Sequence, residues 1–72
     1  MSERMFPVAE EAAASGYLTG LGLSGRDATD MVAAAVLGQP GRISLRSGNV
    51  VRVEVRRAGF RRRLVITEGP PS

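Results

Sequence analysis

Arginine is the residue type with the most chemistry to offer in this chain. All 10 basic residues are Arg, against 7 carboxylates, for a net charge of +3. A guanidinium carries five donors in a planar fork and pairs with a phosphate or a carboxylate through two parallel hydrogen bonds. Eight of the arginines follow residue 41: Arg42, Arg46, Arg52, Arg56, Arg57, Arg61, Arg62 and Arg63. Only Glu54 and Glu68 oppose them there, whereas residues 1–41 carry Arg4 and Arg26 against Glu3, Glu10, Glu11, Asp27 and Asp30. The chain is therefore acidic in its first half and strongly basic in its second.

Other chemistry is scarce. With no Cys and no His there is no disulfide, no thiol nucleophile, no imidazole base and no soft metal site. With no Lys there is no Schiff base. The carboxylates do not form a general acid–base pair. Glu10 and Glu11 are neighbours pointing different ways, Asp27 and Asp30 sit where a helix starts, and Glu54 lies among arginines that hold it ionised. An enzyme is not expected, and neither is a metal or a cofactor. Gly20-Leu21-Gly22-Leu23-Ser24-Gly25 matches the glycine-rich dinucleotide fingerprint formally. It follows a predicted helix rather than a strand, and no acidic residue sits about 20 positions on, so it reads as a turn.

These residues must be positioned by a small fold. The 72 residues make one domain at most, near the lower limit for a chain without staples. The breaker cluster Gly38-Gln39-Pro40-Gly41 divides an Ala-rich helical half from a half in which β-branched and charged residues alternate. Neither half has apolar residues enough for its own core, so the two are layers of one domain. Pro7, Glu10, Glu11 and Ala12-Ala13-Ala14 predict a first helix that starts near Pro7 and ends near Gly16 or Leu18. Ser24 and Asp27 predict the cap of a second, over Arg26 to Leu37, with Ala28, Met31, Val32, Ala35 and Val36 as its buried stripe. Gly38 is placed to end it.

Three strands follow, at Arg42–Arg46, Val50–Arg57 and Phe60–Thr67. A two-residue turn at Ala58-Gly59 and a three-residue loop at Ser47-Gly48-Asn49 would set their register. That register gathers Ile43, Leu45, Val51, Val53, Val55, Leu64 and Ile66 on one face, to pack on Met31, Val32, Val36 and Leu37. The expected fold is therefore α+β: two N-terminal helices on one face of a three-stranded antiparallel meander (ααβββ), over residues 1–68, with 69–72 a disordered tail.

The other sheet face would carry Arg52, Glu54, Arg56, Arg61, Arg63, Ser44, Val65 and Thr67, with Arg42 and Arg46 at its rim. Glu54 would oppose Arg63, and Arg56 would oppose Arg61 as a like-charge pair. An exposed antiparallel face is ordinarily charged, and arginine on strands resists edge aggregation. The same face also fits an anion. The candidate nucleic-acid-binding residues are Arg52, Arg56, Arg61 and Arg63, contacting phosphates with little sequence reading because few aromatic rings are present. The alternative is a protein-interaction or regulatory module that engages an acidic protein surface. The second helix does not read as a DNA-recognition helix, since Thr29, Asp30, Ala33 and Ala34 offer no base-reading donor. No signal peptide and no apolar run near 20 residues is found, so a cytoplasmic chain is expected. The Arg- and Ala-rich, Lys-free composition fits a GC-rich bacterial or phage genome. The small core and open strand edges predict a homodimer.

Overall fold

A computed structural model describes residues 2–71. The elements run β1 (Ser2–Pro7), α1 (Glu11–Gly20), α2 (Gly25–Val36), β2 (Gly41–Ser44), β3 (Val50–Ala58) and β4 (Arg61–Gly69). The fold is α+β, with both helices on one face of an antiparallel sheet. The sheet has four strands in the order β1-β4-β3-β2, not three. The added strand is the N-terminal segment, whose Pro7 ends an edge strand opposite Arg63 and does not open a helix. Proline is tolerated there because an edge strand has one side free of ladder bonds. β1 also covers the edge of β4, one of the two edges expected to be open to a second copy.

The helices hold to their sequence signals at the second and depart from them at the first. Ser24 caps α2, its Oγ accepting the Asp27 N–H at 3.1 Å. At the other end Gly38 N–H donates to Ala35 and Gln39 N–H to Ala34, the paired bonds of a Schellman cap. α1 runs through Gly16 to Gly20. Glycine costs a helix about 1 kcal/mol, but Leu18 in the next turn is fully buried, so packing outweighs propensity. Leu37 is the capping residue of α2 and is 82% exposed, not part of the core.

Ala14, Leu18, Ala28, Val32 and Ala35 of the helices bury against Phe6, Val51, Val53, Leu64 and Ile66 of the sheet, with Leu23 from the connecting loop. Ile43, Leu45 and Val55 are half-buried around them. The apolar sheet face is thus the expected one, although both hairpin registers differ from expectation by two residues. In β3–β4 the turn residues are Gly59 and Phe60, so that Ala58 pairs Arg61, Val55 pairs Leu64 and Val53 pairs Ile66. Gly59 has φ +64°, the first central position of a type II′ turn; a turn at Ala58-Gly59 would put the alanine there. In β2–β3 the loop is Arg46-Ser47-Gly48, closed by the Leu45 N–H donating to Asn49 O at 2.8 Å, with Gly48 at φ +94°. Ile43 therefore opposes Val51. An even shift preserves which side chains share a face, and that is why the core survives the change in register.

β4 continues through Gly69, paired with Val50. Pro70 and Pro71 lie outside regular structure, and Ser72, the end of the segment expected to be disordered, is outside the described residues. Among the described residues, no helix is long and apolar enough to cross a membrane.

Candidate nucleic-acid interface

The face of the sheet away from the helices is built in rows that the register fixes. Glu3, Thr67, Arg52 and Arg42 form one row across the four strands. Met5, Val65 and Glu54 form the next, and Pro7, Arg63 and Arg56 the third. Ala58 and Arg61 follow at the hairpin tip. Strand alternation thus puts the four expected residues, Arg52, Arg56, Arg61 and Arg63, on this face together. It adds Arg42, which the sequence places at the rim and which here stands directly opposite Arg52. Like charges opposed across a strand pair cost stability, and the face holds two such pairs, Arg42–Arg52 and Arg56–Arg63. The register expected from sequence pairs Arg56 with Arg61 and Glu54 with Arg63. Glu54 instead faces Val65.

Two carboxylates organise the middle of the face. Arg56 Nε donates to Glu54 Oε1 at 2.7 Å, and Arg52 Nε lies 3.1 Å from Glu54 Oε2. Arg56 also reaches Glu3, with Nη1 3.3 Å from Oε2. Glu3 is on β1 and Arg56 on β3, so this pair crosses β4 diagonally over the row of Val65. Val65 is accordingly 1% exposed on a face that the sequence leaves open. The hydrogen bond from Arg56, helped by the charges of Arg52 and Arg56, holds the Glu54 carboxyl below its ordinary pKa. The same bond raises Arg56. Because the Glu54 value is lower in the folded chain, its stabilisation is present above the ordinary carboxylate pKa and is lost as pH falls through the depressed one. The groups are solvent-accessible, so the effect on stability is small.

The remaining arginines on the face are differently placed. Arg42, Arg61 and Arg63 make no ion pair among the described residues, whereas Arg52 and Arg56 share Glu54. A shallow depression of about 490 Å³ lies over the Arg42 end of the face, where Arg42, Arg52 and Arg56 share its walls with Glu3, Glu54 and Glu68; Arg61 and Arg63 lie outside it.

Comparison with protein families, curated proteins and solved structures finds no match to this chain.

The other arginines have separate surroundings. The Arg4 guanidinium lies 5.5 Å from the Phe6 ring and 5.4 Å from that of Tyr17, on the helix side of the sheet. These rings are 5.8 Å apart, engaged with each other and with Arg4. Arg62 Nη2 donates to the Val36 carbonyl at 3.0 Å, placing a cation at the C-terminal end of α2, where the helix dipole favours it. The segment Gly20 to Gly25 links the two helices with no strand before it, and its Ser24 hydroxyl is occupied by the α2 cap. It offers no phosphate cradle.

Proposed function

We propose that this protein is a small basic binding module that contacts nucleic-acid phosphates through its open sheet face. One observation carries the reading: a single face holds five arginines against two glutamates, and three of the five, Arg42, Arg61 and Arg63, are without an acidic partner among the described residues. The uncompensated charge flanks both ends of the face, beside the opposed pairs Arg42–Arg52 and Arg56–Arg63, and one phosphate bound at each end would relieve that opposition. Phosphates at backbone spacing suit such an array better than a single carboxylate does.

The test is binding to random-sequence duplex DNA as a function of salt, read by the anisotropy of an end-labelled oligonucleotide. Each neutralised phosphate adds about −0.9 to the slope of log affinity against log salt. Three free arginines give an expected slope of about −3, with little change between sequences. No detectable binding at low salt would leave the acidic protein surface as the reading to pursue.

Glu54 supplies a second expected result. Glu54→Gln removes the charge that Arg52 and Arg56 share. The face gains one net positive charge, so affinity at 0.1 M salt should rise roughly tenfold and the slope should steepen by about one. The denaturation midpoint should move little, because exposed ion pairs contribute about 0–1 kcal/mol. Unchanged affinity in this variant would place the contacts away from the centre of the face.

A further inference from the structure

The hairpin joining β3 and β4 extends past its neighbours. β1 leaves the sheet at Pro7, opposite Arg63, and β2 pairs β3 only as far as Val53. Beyond Arg56–Arg63 the chain continues as a two-stranded ribbon through Arg57–Arg62 and Ala58–Arg61 to the turn at Gly59-Phe60. Every residue from 56 to 62 is exposed. At 3.3 Å per residue, two rows and the turn project about 10 Å. Phe60 stands at the tip, 106% exposed, while Phe6 is buried in the core. The turn does not require it: the constrained position is Gly59, and the second central residue of a type II′ turn needs no positive φ. An exposed aromatic ring at such a place buries no area in the fold.

Arginines lie on both faces of this ribbon. Arg56, Arg61 and Arg63 point to the open side and Arg57 to the helix side, where Arg62 is engaged by the end of α2. A single strand or a flat acidic surface would engage one side only. A duplex groove has a phosphate backbone along each wall, and those of B-form DNA are about 7.5–8.5 Å deep. The projection is long enough to bring its tip to the groove floor. The bond from Arg62 to Val36 ties the base of the ribbon to the end of α2, so the arm is held in place before any partner arrives.

Resting on the phosphate-binding reading above, we infer that the β3–β4 hairpin is an arm that enters a groove of B-form DNA and sets Phe60 as a wedge against a base step. Apolar wedges of this kind partly unstack the step and bend the duplex. The arginines supply affinity, and the ring supplies a contact that salt does not screen.

The chain contains no Trp, so Phe60→Trp places a single indole reporter at the tip. The full chain carrying this substitution is titrated with a 20-base-pair duplex, with the single strand of the same sequence, and with duplex RNA. The expected result is strong quenching of the indole emission by duplex DNA, protection from acrylamide, and weaker responses to the other two. Phe60→Ala should retain the salt slope and the denaturation midpoint and lose about tenfold in affinity, the low end of what a stacked ring contributes. The unmodified protein should also shorten the end-to-end distance of an end-labelled duplex, read by energy transfer, and Phe60→Ala should abolish that shortening. Duplex binding at a slope near −3 with the indole emission unchanged overturns the wedge and leaves the arginine face standing. Stronger quenching by single strand or RNA overturns the groove. If duplex DNA is not bound at all, the phosphate-binding reading fails and the wedge fails with it.

Discussion

Replacing Arg61 and Arg63 together by Ala is expected to lower the affinity for duplex DNA about sixtyfold at 0.1 M salt and to flatten the salt slope by about two. The magnitude follows from counterion release: a contact with a slope of −0.9 contributes a factor of about eight at that salt, and two independent contacts multiply. These two positions are chosen because neither guanidinium is neutralised within the described residues, unlike those of Arg52 and Arg56. The fold should not suffer. Arg61 is exposed at the hairpin tip, and removing Arg63 relieves its opposition to Arg56 across the strands. A denaturation midpoint equal to or slightly above that of the unmodified protein is therefore expected beside the large loss of binding. Arg26→Ala is the matched control. Arg26 sits on α2, highly exposed and 4.0 Å from Asp30, away from the face in the topology. A loss of about eightfold in the control, the same per charge removed as in the double variant, would mean that net charge alone governs binding. A full slope retained in the double variant would move the site off the sheet.

Arg56 shows how far such a result can be anticipated from residues alone. Read by alternation, it belongs to the basic face, and the structure puts it there. Its opposition to Arg61 rests on a turn at Ala58-Gly59, and the positive φ needed at the first turn position moves its partner to Arg63. Its ion pair with Glu3 is not legible at all, because it depends on β1. Ser-Glu-Arg-Met-Phe-Pro lacks β-branched residues, and both its faces mix charge with apolar side chains. Neither the propensity nor the alternation that reveals β3 and β4 is present. The strand exists because Phe6 buries opposite Leu64 and the β4 edge needs a partner. Both are tertiary reasons. Hidden with β1 is the burial of Val65, which from a three-stranded sheet looks exposed. What alternation does reveal is robust for a physical reason: face membership has period two, and both registers differ by two residues.

The largest stability effect is expected at Leu64. It is fully buried, lies between Phe6 of β1 and Val55 of β3, and shares its face with Ile66 and Val53 beneath the helices. Leu64→Ala should cost about 2–5 kcal/mol, the transfer free energy of the lost methyl groups plus that of the cavity left behind. A single core in a chain this short supplies only about 3–5 kcal/mol. A substantial unfolded population at 25 °C is therefore expected, seen as lost circular dichroism and a denaturation midpoint moved close to zero denaturant. The informative partner is Leu37→Ala. From sequence, Leu37 is expected to pack on the sheet beside Val36, and a core leucine there would cost as much as Leu64. The Schellman cap instead turns the chain away at Gly38 and leaves Leu37 82% exposed, so its truncation should stay within about 0.5 kcal/mol. Paired urea titrations of the two variants thus weigh the same chemical deletion in two environments. Similar midpoints would mean that Leu37 is buried in solution, against another part of the chain or against a second copy. A large difference would mean that the core ends at Val36 and that Leu37 stays exposed in solution.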